Sequence, residues 1–455
     1  MARRSGFLRP VAAASVLALG ALSLGAAPSA SVSAAPSRSA PSSAGAVTPA
    51  VSGTPLHRRV STLPGSDAVF SCQTTTPATC YGPQQIRHAY GVDKLGRRGV
   101  DGRGTTIVIV DAFQSPTIRA DLASFDSTFG LPTARLRIIA PQGLTPFDPA
   151  DADQVGWSSE ISLDVEWAHA IAPRARIDLV LARSDDDADI ERALAYVAAH
   201  RLGNVVSQSF GEAEQCLAVS ALGEHRIFAR MVAHGTTLLA SAGDDGAAQP
   251  SCDGTSWVQA ASTPANDPLV TGVGGTALFA DGITGAYHYE TVWNEPQYAS
   301  AGGSGLSEVF REPAFQRRVQ HTGHRSVPDV SYNAAIDEGV IVAWGSSGQG
   351  PGFFSFGGTS CGSPQWAGLV ALANQVAHHR LGNINPALYR LGTSRAYRFL
   401  FHDVTRGNTS VTLPDAAGNA VSVSGPSAHR GWDFATGFGS PKADILVPAL
   451  AGARD

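Results

Sequence analysis

Apolar, β-branched runs alternate with helical patterns through the middle of this chain, and that alternation limits its fold more than any other feature. Thr105-Thr106-Ile107-Val108-Ile109-Val110-Asp111 is a continuous run that ends in an acid. Similar runs occupy Ala175 to Ala182, Asn204 to Gln208 and Thr236 to Ala242, separated by helical patterns over Asp187 to Ala199 and Ala218 to Val232. Strands apolar on both faces belong to a parallel sheet, and helices of this length between them make βαβ crossovers. The expected fold is α/β, a mostly parallel sheet with helices on both faces. Leu269 to Phe279 and Gly339 to Ala343 read as further strands. Functional residues of such sheets gather at the carboxyl ends of the strands, where Asp111 and Asp244 both fall.

The N-terminus points to export. Arg3, Arg4 and Arg9 precede an apolar run from Val11 to Leu24, and small residues follow from Ala26 to Ala35. Residues 1–35 therefore read as a secretory signal peptide. The run is shorter than the roughly 20 residues of a membrane span, and no later segment is long and apolar enough. A secreted, extracellular protein with no membrane in its mature form is expected. Residues 36–80 read as a Ser/Ala/Pro-rich leader or short pro-segment that looks disordered. Residues 81–455 carry no internal linker and read as one domain, expected to be a monomer. A net charge of −5 without a basic stripe excludes nucleic acid as a partner. Five cysteines suit an oxidising compartment. Cys72 could pair with Cys80 and Cys216 with Cys252, although connectivity is not legible from sequence. That would leave Cys361 over beside the candidate serine, read as a small buried side chain with a catalytic cysteine as the alternative.

Three segments could carry chemistry. In Phe356-Gly357-Gly358-Thr359-Ser360-Cys361-Gly362-Ser363-Pro364 a serine follows a glycine turn and precedes an apolar helical run, Leu369 to Ala373. A serine at a helix N-terminus sits among unpaired N–H groups that favour a developing oxyanion. A capping serine in a plain turn is the competing reading. Trp157 to His169 reads as a helix started by Ser158 or Ser159. Glu160 and Asp164 share one face of it, among Ile161, Leu163, Val165 and Ala168. A partly buried carboxyl pair splits its titrations and serves acid/base chemistry; the competing reading is a solvated acidic face. Ser241-Ala242-Gly243-Asp244-Asp245-Gly246 ends a strand in an acidic turn. Asp244, if protonated, could donate a hydrogen bond to an oxyanion; a simple Asp-Gly turn is the alternative.

Asp111, His234 and Ser360 also appear in the order of a subtilisin triad. His234, however, ends the helix before the strand leading to Asp244. The histidine-free set Glu160, Asp164, Asp244 and Ser360 is the better constellation, and it resembles the sedolisins, serine-carboxyl peptidases of subtilisin-like fold. Glu160-Ile161-Ser162-Leu163-Asp164 matches their Glu-x-x-Leu-Asp helix. Ser241-Ala242-Gly243-Asp244 matches their Ser-x-Gly-Asp turn, and Gly358 to Pro364 their Gly-Thr-Ser-x-x-x-Pro. Val273 to Thr276, Gly305 to Phe310 and Val327 to Ser331 are similar as well, so the resemblance runs from about Tyr81 to Leu446.

The resemblance implies an acid-acting endopeptidase on protein or peptide substrates. Ser360 would be the nucleophile, Glu160 the general base, Asp164 its orienting partner and Asp244 the oxyanion stabiliser. A carboxylate base works near its own pKa, ordinarily about 4, which agrees with acid activity. The resemblance also implies calcium, held by the side chains of Asp403 and Asp433 and main-chain oxygens of Val404, His429 and Gly431. Two departures stand out. Relatives usually carry a long folded prodomain, whereas only Pro36 to Cys80 separates the expected signal from Tyr81. Phe210 stands where many relatives have tryptophan, which weakens the case for a relay from Asp111 through that ring. A catalytically weak binding protein and a neutral subtilisin-type protease using His234 are the alternatives.

Overall fold

The computed structural model describes residues 54–62, 68–217 and 220–453. The expected signal peptide lies outside them. Among the described residues no helix is long and apolar enough to cross a membrane.

An eight-stranded sheet forms the centre. Its elements are β1 (Thr106–Ala112), β2 (Arg135–Ile139), α1 (Ala152–Ile171), β3 (Arg176–Ala182), α2 (Asp187–Ala199), β4 (Val205–Gln208), α3 (Ser220–Ala233), β5 (Thr237–Ser241), β6 (Val270–Ala280), β7 (Tyr287–Val292) and β8 (Val330–Asn333), and α4 (Gly362–Ala377) packs on it. The strand order is β7-β6-β5-β4-β1-β3-β2, with β8 also pairing with β6. Every pairing is parallel except the β6–β7 hairpin. This is the α/β sheet with helices on both faces that the alternating pattern requires; its subtilisin-like form is what the resemblance implies.

The side-chain period of two explains the layers. Ile107 and Ile109 of β1 pack into one core with Ile161 and Val165 of α1 and Leu369 and Val370 of α4. Val108 and Val110 point the other way, onto Ile190 and Leu194 of α2 and Phe228 and Met231 of α3. All these side chains are buried. Gly368 of α4 is pressed against α1, where a Cβ would lie 2.6 Å from Cβ of Ile171. The two helices bearing the candidate base and nucleophile therefore sit close together.

Two expectations change. The helix carrying Glu160 begins at Ala152, two turns earlier than expected, because Asp151 caps it and accepts from the N–H groups of Asp153 (3.0 Å) and Gln154 (3.3 Å). Ser158 and Ser159 lie within the helix, and their hydroxyls bond back to Val155 and Gly156 carbonyls at 2.7 Å. Part of the segment read as disordered is ordered. His57–Val60 is a strand in a second, four-stranded sheet with Gly352–Phe356, Gly339–Trp344 and Cys80–Tyr81. Phe70 is fully buried. A low-complexity stretch cannot make a core of its own, but it can add a strand to an edge that the folded body supplies. Disulfides join Cys72 to Cys80 and Cys216 to Cys252, and Cys361 is free and buried.

Candidate active site

Parallel register brings the ends of three strands together. Val110 of β1 lies beside Gln208 of β4, and Gln208 beside Ala240 of β5. Asp111, Ser209 and the Asp244 turn thus emerge at the same carboxyl edge. α1 lays Glu160 and Asp164 over that edge. Both are fully buried, as is Asp111, so the solvated-face reading of the pair is wrong.

The electrostatics follow from burial among like charges. Desolvation pushes the Glu160 carboxyl well above the usual range; Asp164, Asp111 and Asp244 push it further, and the Ser360 hydroxyl opposes them. Desolvation and Asp111 likewise raise Asp164 well above its ordinary value, against the hydrogen bonds it receives. Asp111 is pushed up to about 8 by burial. Ser209 donates to Asp164 Oδ1 at 2.8 Å. The approaches of Ser360 to Glu160 and of Glu160 to Asp164 are looser: neither Glu160 oxygen, nor Asp164 Oδ2, has a well-formed hydrogen bond. Catalytic hydrogen bonds are often long before substrate binds.

Ser360 lies in a short 3-10 turn, Thr359–Cys361, that runs into α4, and it is 7% exposed. The turn is tied to the Asp244 loop. Thr359 N–H donates to Asp244 Oδ1 at 2.7 Å and its hydroxyl to the same oxygen at 2.8 Å, while Gly243 N–H donates to the Thr359 hydroxyl at 3.1 Å. Gly358 has φ +117°, and a Cβ there would lie 2.6 Å from Asp244 Oδ2. Glycine is thus required for the nucleophile turn to close on the aspartate. Sequence reasoning named the four carboxyl and hydroxyl groups, and put Ser209 in a loop lining the cleft and Thr359 in the serine motif, but gave neither a partner, because their contacts join distant segments.

His234 is exposed on the turn after α3, ahead of β5, whereas Asp244 follows β5. The two are separated by the strand, roughly 16 Å at about 3.3 Å per residue. His234 is at the wrong edge of the sheet for a triad. Phe210 is buried and meets Trp157 at 6.2 Å between ring centroids.

The segments that carry the expected metal ligands are tied together through main-chain N–H groups. Gly431 N–H donates to Asp403 Oδ1 and His429 N–H to Asp433 Oδ2, each at 3.0 Å. Tyr397 hydroxyl adds a 2.9 Å bond to Asp403 Oδ1. Asp433 Oδ1 accepts from Ala435 N–H, Thr436 N–H and the Thr436 hydroxyl, and its carboxyl is raised by burial. Val404 is buried and packs with Ala435. Among the described residues no group of three or more His, Cys, Asp or Glu side chains gathers as metal ligands. The donor set is all oxygen, which suits a hard cation only if main-chain carbonyls complete the shell.

No protein-family model matches the sequence. Kumamolisin from Bacillus sp. (strain MN-32) is 32% identical over 391 residues, covering 83% of this chain and 65% of that protein. Sedolisin from Pseudomonas sp. (strain 101) is 31% identical over 351 residues, covering 74% of this chain and 56% of that protein. The chain thus spans less than two thirds of the length of these relatives. A solved structure, Pseudomonas sedolisin, a serine-carboxyl proteinase complexed with two molecules of pseudo-iodotyrostatin, aligns with TM-score 0.68 and 27% identity over 81% of this chain and 97% of that one. Fold, order of motifs and relatives agree, and the chain belongs to the sedolisin family of serine-carboxyl peptidases.

Proposed function

We propose that this protein is a secreted, acid-acting serine-carboxyl endopeptidase. The observation that carries the reading is the placement of Ser360 against the buried Glu160–Asp164 pair, with the Asp244 loop bonded to the residue before the serine. Ser360 Oγ attacks the scissile carbonyl carbon as its proton passes to ionised Glu160. The resulting oxyanion takes a hydrogen bond from protonated Asp244. Glu160 then returns the proton to the leaving amine, and the C–N bond breaks to give an acyl-enzyme and a free amino terminus. Water attacks the ester in the second half, with Glu160 again taking and returning the proton.

Acid operation follows from the crowding of carboxyls. Like charges crowded in a dry site split their titrations, so one carboxyl of the cluster ionises well before the others. A second ionisation must place like charges together in a dry site, so it is displaced upward. The productive form, Glu160 ionised and Asp244 protonated, occupies the window between the two.

Residues 1–35 are assigned as a signal peptide on their charge and apolar pattern, and the mature protein as an extracellular monomer that acts on unfolded proteins or peptides. Asp403 and Asp433, with main-chain oxygens of Val404, His429 and Gly431, would hold calcium. The ion would tie the C-terminal loops together, away from the chemistry. The test is hydrolysis of an unfolded protein from acid to neutral pH, alongside Ser360→Ala. Acid-confined cleavage lost in the variant supports the reading; a neutral optimum sinks it.

A further inference from the structure

We propose that Leu56–Val60 is a positioning element of the working site, retained by the active enzyme to hold the loop that presents Ser360. This rests on the reading of Ser360 as nucleophile.

His57–Val60 pairs antiparallel with Gly352–Phe356, from His57 opposite Phe356 to Val60 opposite Phe353. The pairing continues one step further, where Gly357 N–H donates to the Leu56 carbonyl at 2.9 Å. The next two N–H groups are also held: Gly358 by the Ala334 carbonyl at 2.7 Å and Thr359 by Asp244 at 2.7 Å. Gly357 and Gly358 have no side chains to pack, so main-chain bonds are what fix this approach to the nucleophile. Leu56 supplies one of three consecutive anchors.

The segment is fitted into the enzyme rather than laid over it. The His57 ring stacks on Phe356 with centroids 5.2 Å apart and meets Trp344 edge-on at 4.9 Å. Arg59 donates to the carbonyls of Gln349 (2.7 Å) and Pro351 (3.0 Å), and Arg58 to those of Thr79 and Asp337. Pro55 is buried. Thr54 packs on Gly156, one turn before Glu160 on α1, where no Cβ would fit. Downstream, Ser71 N–H bonds the Ser61 carbonyl at 2.9 Å, and the Cys72–Cys80 disulfide leads into buried Tyr81. Loss of the segment would leave the nucleophile's strand with a bare edge and Gly357 unanchored.

The test inserts a specific protease site between Thr62 and Ala68 of the full chain. The cut N-terminal piece is stripped away, and a synthetic peptide covering residues 54–62 is added back. Ser360 labelling by a phosphonate and peptide hydrolysis are both read. Removal should lower the labelling rate and kcat at least tenfold with KM within twofold, and the peptide should restore both. Unchanged or increased activity on removal, or inhibition by the added peptide, would overturn the proposal and make the segment a removable strap. In uncut protein, His57→Ala should lower kcat several-fold with KM unchanged, and His57→Phe should restore it by keeping the stack. An unaltered kcat in His57→Ala also overturns the proposal. An uncut protein that never labels at Ser360 would instead remove the nucleophile assignment itself.

Discussion

Thr359 donates twice to a single oxygen of Asp244, through its N–H at 2.7 Å and its hydroxyl at 2.8 Å. The residue next to the nucleophile therefore fixes the plane of the carboxyl assigned to the oxyanion. Nucleophile and oxyanion partner come from turns 115 residues apart in sequence, and this pair of hydrogen bonds ties the two turns directly together.

Thr359→Val keeps the shape of the side chain and the N–H bond but removes the hydroxyl donor. A hydrogen bond to a neutral partner such as protonated Asp244 is worth about 0.5–1.5 kcal/mol. kcat should fall about two- to tenfold, with KM nearly unchanged and the fold intact, since the loss is felt as charge develops. Steady-state kinetics with melting curves check this.

Glu160→Gln preserves size and burial yet cannot accept the Ser360 proton. Activity should drop about 10³-fold or more, close to Ser360→Ala, and phosphonate labelling should slow in parallel. Asp164→Asn, which keeps a partner for Ser209, should cost less, about 10- to 100-fold. His234→Ala should stay within twofold of the parent at every pH, because it sits at the far edge of the sheet.

The buried acids also make stability depend on pH. Asp111 holds its proton up to about 8 in the folded protein, against about 3.9 when unfolded. Between those values the folded state binds the extra proton, so this contribution is fully present below about pH 4 and is lost as pH rises toward 8. Glu160 and Asp164 are raised too and act in the same direction. Tm should fall from acid to neutral pH. Asp111→Asn should flatten that slope by raising Tm at pH 7 more than at pH 4. A Tm that climbs steadily to pH 7 would contradict the assignment.

If calcium binds at Asp403 and Asp433, chelation should lower Tm and added calcium should restore it. Asp403→Asn should abolish the calcium dependence of Tm, while leaving the pH profile of the remaining activity in place. Asp433 is a poorer probe, since its carboxyl also closes the Asp433–Thr436 turn.

Much of the molecule was legible because its signals are local. The β-branched run Ile107 to Val110 reads as a strand buried on both faces and is one, and the pattern over Asp187 to Ala199 matches its helix end to end. Glu160 and Asp164 lie four residues apart, which puts them on one helix face whatever the rest of the chain does. The helix start was misplaced because Asp151, a stronger signal in structure, lies in an acidic loop with several candidate caps. His57–Val60 was taken for disorder because its partners lie almost three hundred residues away.

The sequence by itself determined the alternation of strands and helices, the acid-bearing face of α1 and the glycine turn before Ser360, since each depends only on neighbouring residues. Only the tertiary structure decided that Asp111, Glu160 and Asp164 are buried together, that Asp244 is gripped by Thr359, that His234 is out of reach and that Leu56 anchors Gly357. Burial, pKa shifts and hydrogen bonds between remote segments arise from packing, and packing is a property of the assembled chain rather than of any stretch of it.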